Sequence, residues 1–345
     1  MPKGQFSENL LPSWLFQRVE KRMRTADRFL KTVVFVGVVD NGVFEPLGTG
    51  FLVRKDYPAD VGYQYIVTAT HVIAEETRPI SIRVNRHNDE PDYLKLPFGW
   101  FYHPDDSRFV DVAVAPIVID PTIYDVAAVL MKQFCTRQVL QDRDIGIGDE
   151  IFFPGLFLPH SGDGRNLPVL RSGTIAGMPI EPVKTRDGPI LAYLMEGRSI
   201  GGHSGSPVFL NFLQRRIFHS ERGLKLPLHS EDMPYLFMGL IRGCLRAKDS
   251  GEYIASNSKE DNLWVNFGIS TIIPSWDIFE TIEQDDLEKQ RMDHLKLYRA
   301  ASADVPASAS HEKKSDPLAN GENPTHREDF TRLVGAAARK PAPKG

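Results

Sequence analysis

The spacing of the apolar runs constrains this chain more than any other feature. From Lys31 onward they are short, rich in Val, Ile, Phe and Tyr, and punctuated by glycine, proline and polar turns. The first set is Thr32 to Val39, Phe44 to Val53, Gln64 to Thr70, Ile80 to Val84 and Val110 to Ile119. A second set is Glu150 to Phe157, Val169 to Ala176, Ile190 to Met195, Pro207 to Leu210, Tyr235 to Ile241 and Val265 to Ile273. Runs of this length predict strands, and their number without regular intervening helices predicts an all-β barrel or sandwich in two halves. Met131 to Gln141 between the sets is expected to be a connecting helix.

The flanks read differently. Ser13 is placed to cap a short helix carrying Trp14, Leu15, Val19 and Met23, whose basic residues are diluted by Glu20 and Asp27 and form a solvated face. Ser275 to Tyr298 has Trp276, Phe279, Ile282, Leu287 and Leu295 among charged residues, the pattern of a helix docked on one side. Beyond Arg299 the chain turns to Ala, Ser, Pro, Asp and Lys and is too poor in large apolar residues to build a core. It ends in a small island with Phe330, Leu333, Val334 and Ala337 at helical spacing. The expected organisation is an extension (1–30), a folded unit (31–283, halves about 31–130 and 142–274), a helix (284–299) and a flexible tail (300–345).

Composition removes several classes. A formal charge of −4 provides no broad cationic field, so nucleic-acid binding by phosphate neutralisation is not expected. Cys135 and Cys244 allow one bridge at most, which is no disulfide framework for 345 residues. No apolar run approaches the roughly 20 residues of a membrane helix, and the basic N-terminal stretch has no apolar signal core. A soluble, cytoplasmic protein without membrane insertion is the expectation.

Three stretches carry chemistry. Thr68-Ala69-Thr70-His71 delivers a histidine at a strand end. Asp111-Val112-Ala113-Val114 sets one carboxylate before an apolar strand. Gly201-Gly202-His203-Ser204-Gly205-Ser206-Pro207 presents a serine in a glycine-rich turn. Each alone is an ordinary strand cap or turn. In the order His, Asp, Ser, each in its own setting, they form a set that nucleophilic catalysis requires. A serine hydroxyl needs a base in hydrogen-bond reach, imidazole titrates in the useful range, and a carboxylate on the other ring nitrogen fixes the tautomer. Asp105 and Asp106 are competing acids, but they lie in a His-Pro-Asp-Asp turn that reads as exposed loop.

On these motifs the chain resembles the trypsin-like (chymotrypsin-fold) serine endopeptidases, and within them the cysteine-poor bacterial branch that includes the HtrA-like proteases. The resemblance spans roughly Thr32 to Glu283. It implies two packed antiparallel β-barrels with an active site between them. His71 is then the base, Asp111 its partner and Ser204 the nucleophile, with the oxyanion held by the N–H groups of Gly202 and Ser204 and a polypeptide as substrate. No cofactor or metal is implied. His203 stands where secreted members carry an aspartate that pairs with a new N-terminus, so a pocket formed without such cleavage is expected. His203 itself is read as a solvent-facing or locally bonded ring. By position, the primary pocket is expected around Glu196 to Ile200, Gly239 to Gly243 and Gly268. There Arg198 and Arg242 either favour an acidic side chain or are used up by solvent and by Glu196. No PDZ-like segment follows the protease region.

Two other roles stay open at this level: a non-catalytic peptide-binding module on the same fold, and an assembly or self-binding role for the tail around Phe330. A missing triad member would favour the first, and none is missing.

Overall fold

The computed structural model describes residues 25–57, 61–96, 99–162, 164–185, 188–197, 202–211, 218–220, 223–225, 235–248, 253–255 and 264–303. Most of the helix expected from Trp14, together with Arg198, Gly201 and the tail with Phe330, lies outside the described residues. Thr25–Leu30 is helical.

The first half is an antiparallel sheet built from β1 (Val33–Asp40), β2 (Val43–Asp56), β3 (Gly62–Thr68), β4 (Ile80–Asn85), β5 (Pro91–Lys95), β6 (Phe101–Tyr102) and β7 (Ala113–Ile117), in the order β5-β4-β1-β2-β3-β7-β6. The short β8 (Val129–Leu130) adds to β2 in parallel. Asn41 and Gly42 turn β1 into β2 with positive φ at both (48° and 80°), the two-residue hairpin that an Asn-Gly pair favours. The 14-residue β2 pairs with β1 along one part and with β3 along the other, so it bends the sheet around its own apolar face.

The second half contains β9 (Glu150–Gly155), β10 (Val169–Gly177), a β11 (Val183–Thr185) and β12 (Gly188–Ile190) hairpin, β13 (Tyr193–Glu196) and β14 (Pro207–Asn211). After a β15 (Phe218–Ser220) and β16 (Gly223–Lys225) hairpin come β17 (Tyr235–Lys248), β18 (Tyr253–Ala255) and β19 (Trp264–Pro274). The path β14-β9-β10-β13-β19-β17 returns to β14, which closes a six-stranded barrel. The molecule is thus all-β in its body, as expected, with one closed six-stranded barrel following an eight-stranded sheet.

The two faces of β1 serve different cores. Val34 and Val36 face the first core, while Val33 and Phe35 pack with Leu156 from the second half. Phe51 and Phe237 approach with ring centroids 5.3 Å apart, and Phe29 from the leading helix sits among Phe152, Phe209 and Tyr235 at 4.5–4.9 Å. Burial of such rings is the main stabilising term in a body with no disulfide, both cysteines being free and buried.

Two expected helices are broken. Met131 to Gln141 becomes a 3₁₀ turn (Met131–Gln133) and a helix (Arg137–Asp142), because Cys135 instead donates its N–H to the Phe237 carbonyl (2.9 Å) and Thr136 caps the second piece. Ser275 to Tyr298 is two helices, Ser275–Ile282 and Asp285–Ala303, hinged at Glu283 and Gln284. The second helix lies on the first half. Its Arg291, 1% exposed, donates to the Tyr65 hydroxyl (2.7 Å), the Ile282 carbonyl (2.8 Å) and Glu288 (2.6 Å), while Lys55 pairs with Glu283. No helix among the described residues is long and apolar enough to cross a membrane.

Candidate active site

Sheet register brings the acid to the base. Thr68, the last residue of β3, pairs with Ala113, the first of β7, so the chain leaving β3 lies beside the chain entering β7. His71 sits three residues past that pair, in the single helical turn Thr70–Ile73, and Asp111 two residues before it. They join at two points. The Asp111 Oδ1 accepts the His71 backbone N–H (3.0 Å), and Oδ2 lies 2.7 Å from the ring Nδ1. The ring side chain is 23% exposed and the carboxylate 1%, so the imidazole is held from its buried side and open on the other.

Register also builds the serine turn. Pro207 of β14 pairs with Leu240 of β17, so the residues just before β14 run along Ile241 to Gly243. Gly205 donates to the Ile241 carbonyl (2.8 Å) and Ile241 to the Ser206 carbonyl (2.9 Å). The first half grips the same turn. The Thr49 N–H donates to the Ser204 carbonyl (2.9 Å), the Thr49 hydroxyl donates to the Gly202 carbonyl (2.7 Å), and that hydroxyl accepts the Leu156 N–H (2.8 Å). Gly205 lies at φ 84°, and a Cβ there would come within 2.0 Å of the Thr49 carbonyl oxygen, so only glycine fits. At Gly48 a Cβ would lie 2.8 Å from a Val72 methyl and 3.2 Å from the Ser204 carbonyl. The neighbour of His71 and the backbone of Ser204 therefore meet over one glycine.

The Ser204 hydroxyl donates to the Arg242 carbonyl (3.1 Å). Among the described residues no hydrogen bond joins it to the His71 ring. Gly202 has φ 101°, and no described backbone carbonyl takes its N–H or that of Ser204. His203 is fully buried, edge-on to Phe153 at 5.8 Å, and so is not solvent-facing.

Arg242 is 1% exposed and does not open to solvent. Its Nε lies 3.1 Å from Asp111 Oδ2, the same oxygen that faces His71 Nδ1, and its guanidinium stands 5.7 Å from the Phe109 ring. Burial acts to raise the Asp111 carboxyl and is the largest single influence. The His71 contacts and the Arg242 charge outweigh it and hold the group below the ordinary aspartate range. Sequence reasoning assigned Arg242 to the pocket wall and missed this pairing. The available signal was one arginine inside the apolar run Met238 to Cys244, which a buried strand tolerates only with a counter-charge.

Of the other expected pocket residues, Gly268 lies in β19 at φ 78° with open space around it, and its carbonyl accepts the Gly197 N–H (2.8 Å). Asp105 is exposed and takes both the Ser107 N–H and hydroxyl, whereas Asp111 is the acid bonded to His71. Burial pushes the Cys135 thiol up to about 12, which leaves it unreactive as a nucleophile. His103, Asp277 and Glu280 cluster closely enough to suggest metal ligands, but Arg108 lies within them, 2.5 Å from Asp277 and 3.1 Å from Glu280, and balances their charge.

No family model matches the chain, and no curated protein matches it. Among solved structures it is similar to the apo MamO protease domain from Magnetospirillum magneticum, at 13% identity over 75% of this chain and 100% of that one, with a TM-score of 0.44. It is similar also to an inactive mutant form of Rv3671c from M. tuberculosis H37Rv, at 14% identity over 74% of this chain and 87% of that one, with a TM-score of 0.37. Likeness at this level does not bear on activity.

Proposed function

We propose that this protein is a serine endopeptidase that cleaves polypeptides through an acyl-enzyme, with Ser204 as nucleophile, His71 as general base and Asp111 orienting the base. The observation that carries the reading is the two-point junction of His71 with a buried, ionised Asp111, set against the turn that presents Ser204. In this mechanism the Ser204 hydroxyl leaves the Arg242 carbonyl and passes its proton to His71 as Oγ attacks the scissile carbonyl. Asp111 stabilises the imidazolium, and the N–H groups of Gly202 and Ser204 take the oxyanion. His71 then returns the proton to the leaving amine, and water repeats the sequence on the ester.

Kinship with the HtrA-like branch rests on the three motifs alone, and a cytoplasmic site of action belongs to the same proposal. Arg198 stays a proposed determinant of acidic specificity, and the segment around Phe330 a proposed contact for a partner or for the cleft.

The test is covalent labelling by a fluorophosphonate, with hydrolysis of a fluorogenic peptide library alongside. Ser204→Ala is expected to abolish labelling and to lower hydrolysis by more than about 1000-fold. Equal labelling of wild type and Ser204→Ala sinks the nucleophile assignment. One observation favours a second reading, a peptide-binding module without turnover: the Ser204 hydroxyl is engaged by the Arg242 carbonyl instead of by His71. Tight peptide binding with no labelling of any variant would establish it.

A further inference from the structure

Thr49 lies in β2 between two glycines and is fully buried. Its partner across the sheet is Phe35, and residues directly opposed in an antiparallel pair share a face. The Thr49 side chain therefore stands on the face where Val33 and Phe35 pack with Leu156 of the second half. There its hydroxyl is used twice. It donates to the Gly202 carbonyl (2.7 Å) and accepts the Leu156 N–H (2.8 Å), which joins three segments remote from one another in sequence. Leu156 also stands against the glycine, since a Cβ on Gly202 would lie 2.9 Å from the Leu156 carbonyl oxygen.

The serine turn gives this junction a consequence. The N–H groups proposed to hold the oxyanion belong to the peptides entering Gly202 and Ser204, and the Gly202–His203 peptide lies between them. In a trans peptide the N–H points opposite its own carbonyl. The peptide entering Ser204 is tied within the turn, because the His203 carbonyl accepts the Ser206 N–H (2.9 Å). Gly202 is tied differently. At φ 101° it has no Cβ to restrict its torsions, so the direction of its N–H depends on what holds the neighbouring peptide plane. That plane is held through its carbonyl by the Thr49 hydroxyl, while the Thr49 N–H holds the Ser204 carbonyl (2.9 Å). One residue of the first half thus grips the carbonyls of the same two residues whose N–H groups would meet the oxyanion.

We infer that Thr49 is a positioning residue for the oxyanion hole, its hydroxyl holding the Gly202 N–H in line through the Gly202 carbonyl. This rests on the peptidase reading above. Thr49 touches no reacting atom. Its effect falls on the charge that develops in the transition state, and so on kcat and not on KM. Loss of the hydroxyl leaves the Thr49 N–H on Ser204, so only the Gly202 donor is released.

The experiment measures kcat and KM of the full-length chain on a fluorogenic peptide. Thr49→Val swaps the hydroxyl for a methyl, Thr49→Ala removes it without crowding, and Thr49→Ser keeps it. Melting temperatures report the fold, and Ser204→Ala is the blank. In the two variants without a hydroxyl kcat is expected to fall about 100-fold, the scale of one lost oxyanion donor, with KM within about threefold of wild type. Thr49→Ser is expected to stay within about threefold of wild type in both constants. A folded variant without the hydroxyl whose kcat falls by less than about tenfold overturns the inference and leaves the peptidase reading intact. An equal fall in Thr49→Ser also overturns it, since the methyl packing and not the hydroxyl would then matter. So does a KM that rises as kcat falls, which would place the damage in substrate binding. Failure of both variants without a hydroxyl to fold while Thr49→Ser folds overturns it too, because the bond would then serve the fold. Absence of Ser204-dependent hydrolysis in wild type removes the peptidase reading and the role of Thr49 together.

Discussion

Asp111 and Asp277 are both 1% exposed and each touches an arginine, yet their carboxyls are displaced in opposite directions. Asp111 is held below the ordinary aspartate value, whereas Asp277 is raised, with burial the largest cause in both. The surroundings decide. Asp111 receives the His71 backbone N–H, faces the His71 ring and lies against an arginine as buried as itself. Asp277 has Arg108, whose side chain is 33% exposed, and has Glu280 nearby as a like charge. A buried carboxylate stays ionised when several donors converge on it. With one partly solvated donor it retains some of the desolvation penalty.

Three substitutions test this contrast. The largest effect is expected from Asp111→Asn, which keeps the shape but loses the charge that orients His71. Under the proposed mechanism kcat should fall by about 10,000-fold, a fall read from peptide hydrolysis at saturating substrate. A loss below about tenfold would mean that Asp111 is only a structural partner of His71.

Arg108→Met removes the partner of Asp277 and of Glu280. Because Arg108 is one-third exposed and Asp277 can take up a proton, the expected cost is only about 1–2 kcal/mol, seen as a lower urea midpoint at pH 7. A cost several times larger would show that Asp277 stays charged and unrelieved.

The smallest effect concerns pH. A raised carboxyl pKa in the folded state means that folding takes up protons at this group. Asp277 therefore favours the folded state most at low pH, and that contribution is lost as pH rises above about 4, through its raised value. Relative to Asp277→Asn, wild type should lose stability across that rise. Asp111 has the reverse sign, and the stability it contributes is lost as pH falls below about 4. Thermal melts of wild type and Asp277→Asn from pH 3.5 to 7 measure the first trend. A gap between them that is constant with pH would contradict it.

Much of the fold was readable because strand faces repeat every two residues and turns have their own chemistry. The runs of β1, β2, β3, β4, β7, β9, β10, β14 and β19 stand in the sequence close to their final limits. What escaped were pieces with weak local signals, such as the polar Pro91–Lys95, the two-residue Phe101–Tyr102 and Val129–Leu130, and the breaks in two helices. Those breaks come from distant partners: Phe237 draws Cys135 out of a helix, and Gln284 donates to the Tyr102 carbonyl (3.1 Å). At the site, His71, Asp111 and Ser204 were legible as motifs. The pairing of Arg242 with Asp111 was not, because Arg242 stands at a bulge between β17 and β19, a mismatch between two strands that leaves no pattern in either one.

By itself, then, the sequence determined the residue types available for chemistry, their order along the chain, and an all-β body without a disulfide framework, since composition and short-range periodicity are local properties. Tertiary structure alone decided which charges face one another. The β3–β7 register set Asp111 against His71, the β14–β17 register set Ser204 beside Arg242, and the displaced residue between Ile241 and Gly243 turned an arginine inward. Electrostatic partners are chosen by distance in space, and distance in space is fixed only when strands far apart in the chain have paired.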